Sequence, residues 1–173
     1  RSTEARKLAE RARAEASLFA DAVEAASGSN AQAFIYHFAQ LLRAEQFGEA
    51  EALLPAARDN NWDQAQGNLT EASFLIARGR AAQAAAGDGS QDFTRAAAAA
   101  RRATDASPWR GDTWKSLGEA MSEVGNLDEA RLAYAEVIQR DPSDVESIRQ
   151  LAALHLREGG DSARAVSILA DAS

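Results

Sequence analysis

The stretch Gly111–Pro142 constrains this chain more than any other part. It reads GDTWKSLGEAMSEVGNLDEARLAYAEVIQRDP. Trp114, Leu117, Gly118 and Met121 are three, one and three residues apart, a spacing that puts them on one face of a helix. Gly125 then supplies the left-handed residue that a helix C-terminus favours. Asn126 and Glu129 predict a capping box for a second helix, whose inward stripe is Ala130, Tyr134 and Val137. Pro142 closes the unit, because the residue before a proline is pushed out of helical geometry.

The order W-x2-L-G-x2-M, then A-x3-Y, then P resembles a tetratricopeptide repeat, with Met121 where that pattern prefers tyrosine. Two further intervals carry the resemblance outward. Ala96 precedes Ala130, and Pro108 precedes Pro142, by one repeat length. Ile148, Leu151, Ala152 and His155 follow Trp114, Leu117, Gly118 and Met121 at the same interval, and Ala165 with Leu169 follows Ala130 with Tyr134 after one extra residue at Gly159-Gly160. The resemblance implies an all-α fold: a right-handed α-solenoid of about nine helices without a β-sheet. The expected organisation is one domain. It consists of a leader helix at 1–28 and hairpins at 31–62, 70–108, 111–142 and 145–173, the second with an insertion between its helices.

Composition agrees with that class. Only three prolines interrupt 173 alanine-rich residues, which favours helices. A net charge of −7 opposes binding to a phosphate backbone, so no nucleic-acid partner is expected. The absence of cysteine excludes disulfides and thiolate metal sites. No apolar run approaches the roughly 20 residues that cross a bilayer, so no membrane insertion is expected. The expectation is a soluble protein, cytoplasmic or periplasmic. The chain opens at Arg1, so its lack of a signal peptide weighs little.

The leader reads as a helix over Thr3–Ala26, with Leu8, Ala12, Ala16, Phe19, Val23 and Ala26 inward. Its Arg6, Lys7, Arg11 and Arg13 alternate with acids, which favours a solvated face over a basic arm for an acidic partner. The first hairpin reads as Ala31–Ala44 and Phe47–Arg58. Phe34, His37, Phe38 and Leu41 take the Trp, Leu, Gly and Met places of its first helix. Phe38 is too large for a close crossing there, so either the crossing is wider or the register differs by one. Pro55 predicts a kink or a bent start in the second helix. The next helix reads as Thr70–Ala86, with Thr70 as N-cap and Leu69 stapled on Phe74. Its run Phe74, Leu75, Ile76 and Ala77 is continuous, so periodicity leaves the inward face open. Helices follow at Gln91–Asp105 and Ala163–Ala170, and Ser143 with Glu146 predicts another capping box.

By the resemblance, the first helix of each hairpin lines a concave groove. The groove positions are then Gln32, Ile35, Ala39 and Leu42; Asp112, Lys115, Glu119 and Ser122; and Glu146, Arg149, Ala153 and Leu156. This groove is apolar at its N-terminal end and charged at its C-terminal end, which suits an amphipathic helix or extended peptide of another protein. The leader helix is the competing occupant of the apolar end. Lys115 and Arg149 have places in the carboxylate clamp of chaperone-binding members, but Glu119 and Ala153 stand where its asparagines belong.

No chemistry competes with binding. His37 and His155 fall on packing stripes, with no second ligand at metal spacing. Gly87-Asp88-Gly89 follows no strand and is a turn. The sequon Asn68-Leu69-Thr70 is too short to carry weight. Arg95, Arg101, Arg102 and Arg110 beside Trp109 read as a solvated outer face in preference to a nucleic-acid or anionic-partner site. No catalytic, metal or cofactor residue is expected, and the chain is not read as an enzyme. The alternative to a binding scaffold is a segment of a longer enzyme or assembly component. Val166, Ile168 and Leu169 on the last helix lead us to expect docking on a further domain, or a symmetric homodimer, through that helix.

Overall fold

Helix follows helix because each turn carries its own stop and start signals. The computed structural model describes residues 2–27, 31–59, 63–157 and 162–170. Among the described residues run nine helices and no strand: α1 (Ser2–Ser27), α2 (Ala31–Arg43), α3 (Phe47–Asp59), α4 (Gln64–Ala84), α5 (Ser90–Ala106), α6 (Gly111–Val124), α7 (Leu127–Arg140), α8 (Val145–Arg157) and α9 (Ser162–Ala170). Gly125 ends α6 at φ 87°, and its neighbour Asn126 caps α7 by accepting the Glu129 N–H at 3.3 Å. The Asn126 amide returns a bond to the Glu129 carboxylate at 3.0 Å. Half of the expected box forms: the Asn126 N–H goes to the Met121 carbonyl at 2.9 Å, so Glu129 answers the Asn126 side chain and not its backbone.

Consecutive helices pack against each other along the chain, and α4 also reaches α6. The result is a helical solenoid whose core runs through the stack. Leu117, Gly118, Met121, Ala130, Tyr134 and Val137 are all buried, as are Ala96, Ile148, Leu151, Ala152 and Ala165 at matching places. Gly118 is small for a visible reason. A Cβ there would meet the Tyr134 ring at 3.0–3.1 Å, so glycine lets that ring lie against α6.

Three sequence expectations are corrected. The α4 helix starts at Gln64, six residues before Thr70. Its N-cap is Asp63, which accepts the Ala65 N–H at 3.0 Å, while Thr70 is buried inside the helix and donates to the Gln66 carbonyl at 2.9 Å. Leu69 and Phe74 therefore form no staple across a helix start. The cap of α8 is Asp144, not Ser143; it accepts the Ser147 N–H at 2.7 Å. The inward face of α1 is Leu18, Phe19, Ala22 and Ala25. Ala12, Ala16 and Val23 are exposed, Val23 at 42%, and the side chains of Leu8 and Ala26 lie outside the described residues. Pro55 lies inside α3, which runs from Phe47 to Asp59, as expected from the sequence. Phe34, Phe38 and Leu41 are buried as a stripe, with α2 packed more extensively on α1 than on α3. So large a residue as Phe38 is accommodated because its helix meets α3 only sparingly.

Candidate partner-binding cleft

A carboxylate that caps one helix can also hold a cation on the next, and this device builds the cleft. Asp144 stands at the start of α8 and takes two bonds from Lys115 Nζ on α6, at 3.0 and 2.9 Å. One turn farther along α6, a single α4 guanidinium reaches across. Arg80 donates to Glu119 at 2.8 Å and to Glu123 at 2.6 Å. At the other end of α8, Arg157 donates to the Ser122 hydroxyl at 3.2 Å. These links tie α4, α6 and α8, the first helices of three successive hairpins, around a cleft of about 270 Å³. Arg80, Lys115, Glu119, Ser122, Glu123, Tyr134, Glu146, Gln150 and Arg157 line it.

Tyr134 reaches this cleft from α7, between the first helices. Its side chain is only 3% exposed, and its hydroxyl makes no hydrogen bond to a described residue. Burial pushes the phenol well above its usual range, and the neighbouring Glu119 adds to the shift. For Asp144, burial works upward, but the Ser147 N–H and Lys115 outweigh it and hold the carboxyl below the usual range. The Ala65 N–H and Arg110 do the same for Asp63, and Arg78 does so for Asp92.

These three depressed carboxylates contribute stability that is complete above the unfolded value of about 3.9 and is lost as pH falls through the lower folded value. The melting temperature is therefore expected to hold steady from neutral pH to about pH 4 and to drop below it. Asp92→Asn should flatten that drop, because Arg78 donates to both Asp92 oxygens at 2.6 and 2.8 Å. An unchanged acid limb in that variant would contradict the assignment.

Of the groove residues expected from sequence, Lys115, Glu119, Ser122 and Glu146 meet in the cleft. Asp112 instead binds Arg110 at 2.5 and 2.9 Å, and Arg149 turns to Glu146 at 3.3 Å. Ala153 and Leu156 are exposed outside the cleft lining. Gln32 and Ile35 are exposed on α2, Ala39 is half-buried, and Leu42 packs on the core. The leader helix α1 packs on α2 and α3. Sequence reasoning missed Arg80, Glu123, Tyr134, Gln150 and Arg157. Arg149, Ala153 and Leu156 fall outside the cleft lining for a geometric reason. Equivalent positions on stacked helices point the same way, whereas the walls of a cleft face each other. Glu146, Gln150 and Arg157 share the α8 face turned to α6, one position round from Arg149, Ala153 and Leu156.

The other candidates resolve structurally. Arg101 pairs with Glu129 at 2.5 Å, Arg102 with Glu71 at 2.9 Å, and Arg110 with Asp63 at 2.8 Å, while Trp109 stays 71% exposed. Asn68 lies within α4 and bonds to the Gln64 carbonyl at 3.1 Å. His37 and His155 are half-buried. Among the described residues, no group of three or more His, Asp or Glu is placed to hold a metal, and no helix is long and apolar enough to cross a membrane. A second, apolar groove of about 470 Å³ opens beside α7, α8 and α9, lined by Leu132, Ala135, Leu151, His155 and Ile168 with Asp128, Arg131 and Arg164. Leu132 and Val166 are 69% and 64% exposed.

Residues 89–154 match the family model described as tetratricopeptide repeat. No curated protein matches the chain in sequence. Among solved structures, the chain is similar to TTC0263, described as a thermophilic tetratricopeptide-repeat protein of Thermus thermophilus. The identity is 16% and the TM-score 0.65, over 91% of this chain and 89% of that one. A structure of MamA aligns at 16% identity and a TM-score of 0.48, over 87% of this chain and 91% of that one. The matched segment is tetratricopeptide-repeat sequence, and the stack that contains it has the fold of that family.

Proposed function

We propose that this tetratricopeptide-repeat solenoid is a scaffold that holds a segment of a partner protein in the cleft between α4, α6 and α8. The observation that carries the reading is the convergence of three hairpins on one polar cleft, with the Tyr134 hydroxyl left unbonded at its wall. A hydroxyl on so nearly buried a side chain, with no bond from a described residue, is satisfied through the cleft, and a ligand group placed there can bond it. An extended peptide or the polar side of an amphipathic helix has the reach to do so.

A second reading rests on the apolar groove at α7–α9. Exposed Leu132 and Val166 beside half-buried Ile168 suit docking on another domain or a homodimer. One experiment separates the two. The chain is immobilised as wild type, Ser122→Trp and Leu132→Glu, and proteins retained from a lysate are compared. Ser122→Trp fills the polar cleft, and Leu132→Glu places a charge on the apolar groove. The expected result is a partner kept by Leu132→Glu and lost by Ser122→Trp. The reverse pattern would move the binding surface to α7–α9, and retention by both variants would overturn the cleft reading.

A further inference from the structure

We propose that the cleft takes a lysine or arginine side chain of the partner, with the Tyr134 hydroxyl and the Glu119 and Glu123 carboxylates as its acceptors; this rests on the cleft being the partner site. Two of the cations that line the cleft, Lys115 and Arg80, are already paired with carboxylates. Lys115 spends two bonds on Asp144, a residue behind the lining. Arg80 carries one positive charge between two carboxylates, Glu119 and Glu123. It bonds only Oε1 of each, so Oε2 of both takes no bond from a described residue. Arg157 sits at the last turn of α8 and is turned to Ser122.

Around Arg80 the cleft is therefore short of positive charge, because one guanidinium serves two carboxylates. Burial does most to push the Tyr134 phenol up; Glu119, Glu146 and Glu123 act in the same direction and Arg80 against it. An incoming ammonium or guanidinium has three or more donors and no acceptor. It would meet Oε2 of Glu119, Oε2 of Glu123 and the phenol oxygen, which take no bond from a described residue. A carboxylate ligand would instead face Glu119 and Glu123 across the same space.

The test uses three acetylated, amidated decapeptides in which alanine alternates with lysine, norleucine or glutamate. Binding to the whole chain is followed by calorimetry at low and raised salt. The lysine peptide is expected to bind at least tenfold more tightly than the other two, and to weaken with salt. Tyr134→Phe keeps the ring against Gly118 and removes only the hydroxyl, so it should melt like wild type and bind the lysine peptide three- to tenfold more weakly. Glu119→Gln, which removes one charge from the cleft, should weaken that binding by a similar factor. Asp105→Asn, an equal loss of charge on the exposed face of α5, should bind like wild type. Failure of the lysine peptide to bind, equal or tighter binding of the norleucine or glutamate peptide, or equal weakening in Asp105→Asn and Glu119→Gln would each overturn the cation site. The Ser122→Trp comparison decides the cleft reading separately, so either can fall alone.

Discussion

Phe93→Ala is expected to lower the unfolding free energy by about 3–5 kcal/mol. Phe93 is 1% exposed near the start of α5. Its ring fills the space over Gly79 of α4, where even a Cβ would stand 2.6 Å from Cε1. Glycine opposite phenylalanine is a lock with one moving part: once the ring is removed, Gly79 has no side chain to relax into the gap. The variant therefore loses the transfer free energy of the ring and also keeps a cavity. Denaturant unfolding should show a lower midpoint with an unchanged slope. A loss under about 1 kcal/mol would mean that α4 and α5 close over the gap, contrary to a rigid crossing.

Gly89→Ala is the second large effect. Gly89 is the residue before α5, and the Phe93 N–H bonds its carbonyl at 3.0 Å. A Cβ at Gly89 would press into the backbone of Gly79, within 3.0 Å of its Cα and closer still to its carbonyl oxygen. Backbone cannot rotate aside as a side chain does, so α5 must start farther from α4. The expected loss is about 3 kcal/mol or more. Gly111→Ala is the control: its Cβ meets nothing within 4 Å, so thermal melting should be close to wild type or slightly better. The double variant Gly89→Ala with Phe93→Ala should lose less than the sum, because both changes loosen the same crossing. Strict additivity would contradict a shared crossing.

How much of this was readable from the chain depended on how sharply each side chain is committed. Across α6 and α7 a large residue meets a small one at fixed spacing, as Tyr134 meets Gly118, and the buried stripe followed directly. In α1 the alanines stand on every side, so a face centred on Ala22 and Ala25 reads much like one containing Val23 and Ala26. The start of α4 was hidden by a false cap. Gly67 lies inside the helix, where a Cβ would approach the Ala57 carbonyl oxygen to 2.9 Å. Thr70 looked like a cap, but its hydroxyl bonds back one turn within the helix. The cleft was half legible. Lys115, Glu119, Ser122 and Glu146 follow from the repeat register, whereas Arg80 sits on a helix whose apolar run gives no face, and Tyr134 reads purely as packing. Its second role, an unbonded hydroxyl at the cleft, exists only once α4, α6 and α8 are assembled around it.

The most direct measurement is site-specific photo-crosslinking. A benzoylphenylalanine is placed at Gln150 inside the cleft, at Leu132 on the apolar groove, or at Asp105 on the outer face, and each chain is irradiated in the lysate of its source. A partner adduct formed from position 150, and absent from positions 132 and 105, is the predicted result. An adduct formed from 132 or 105 and absent from 150 would contradict the cleft as the binding surface.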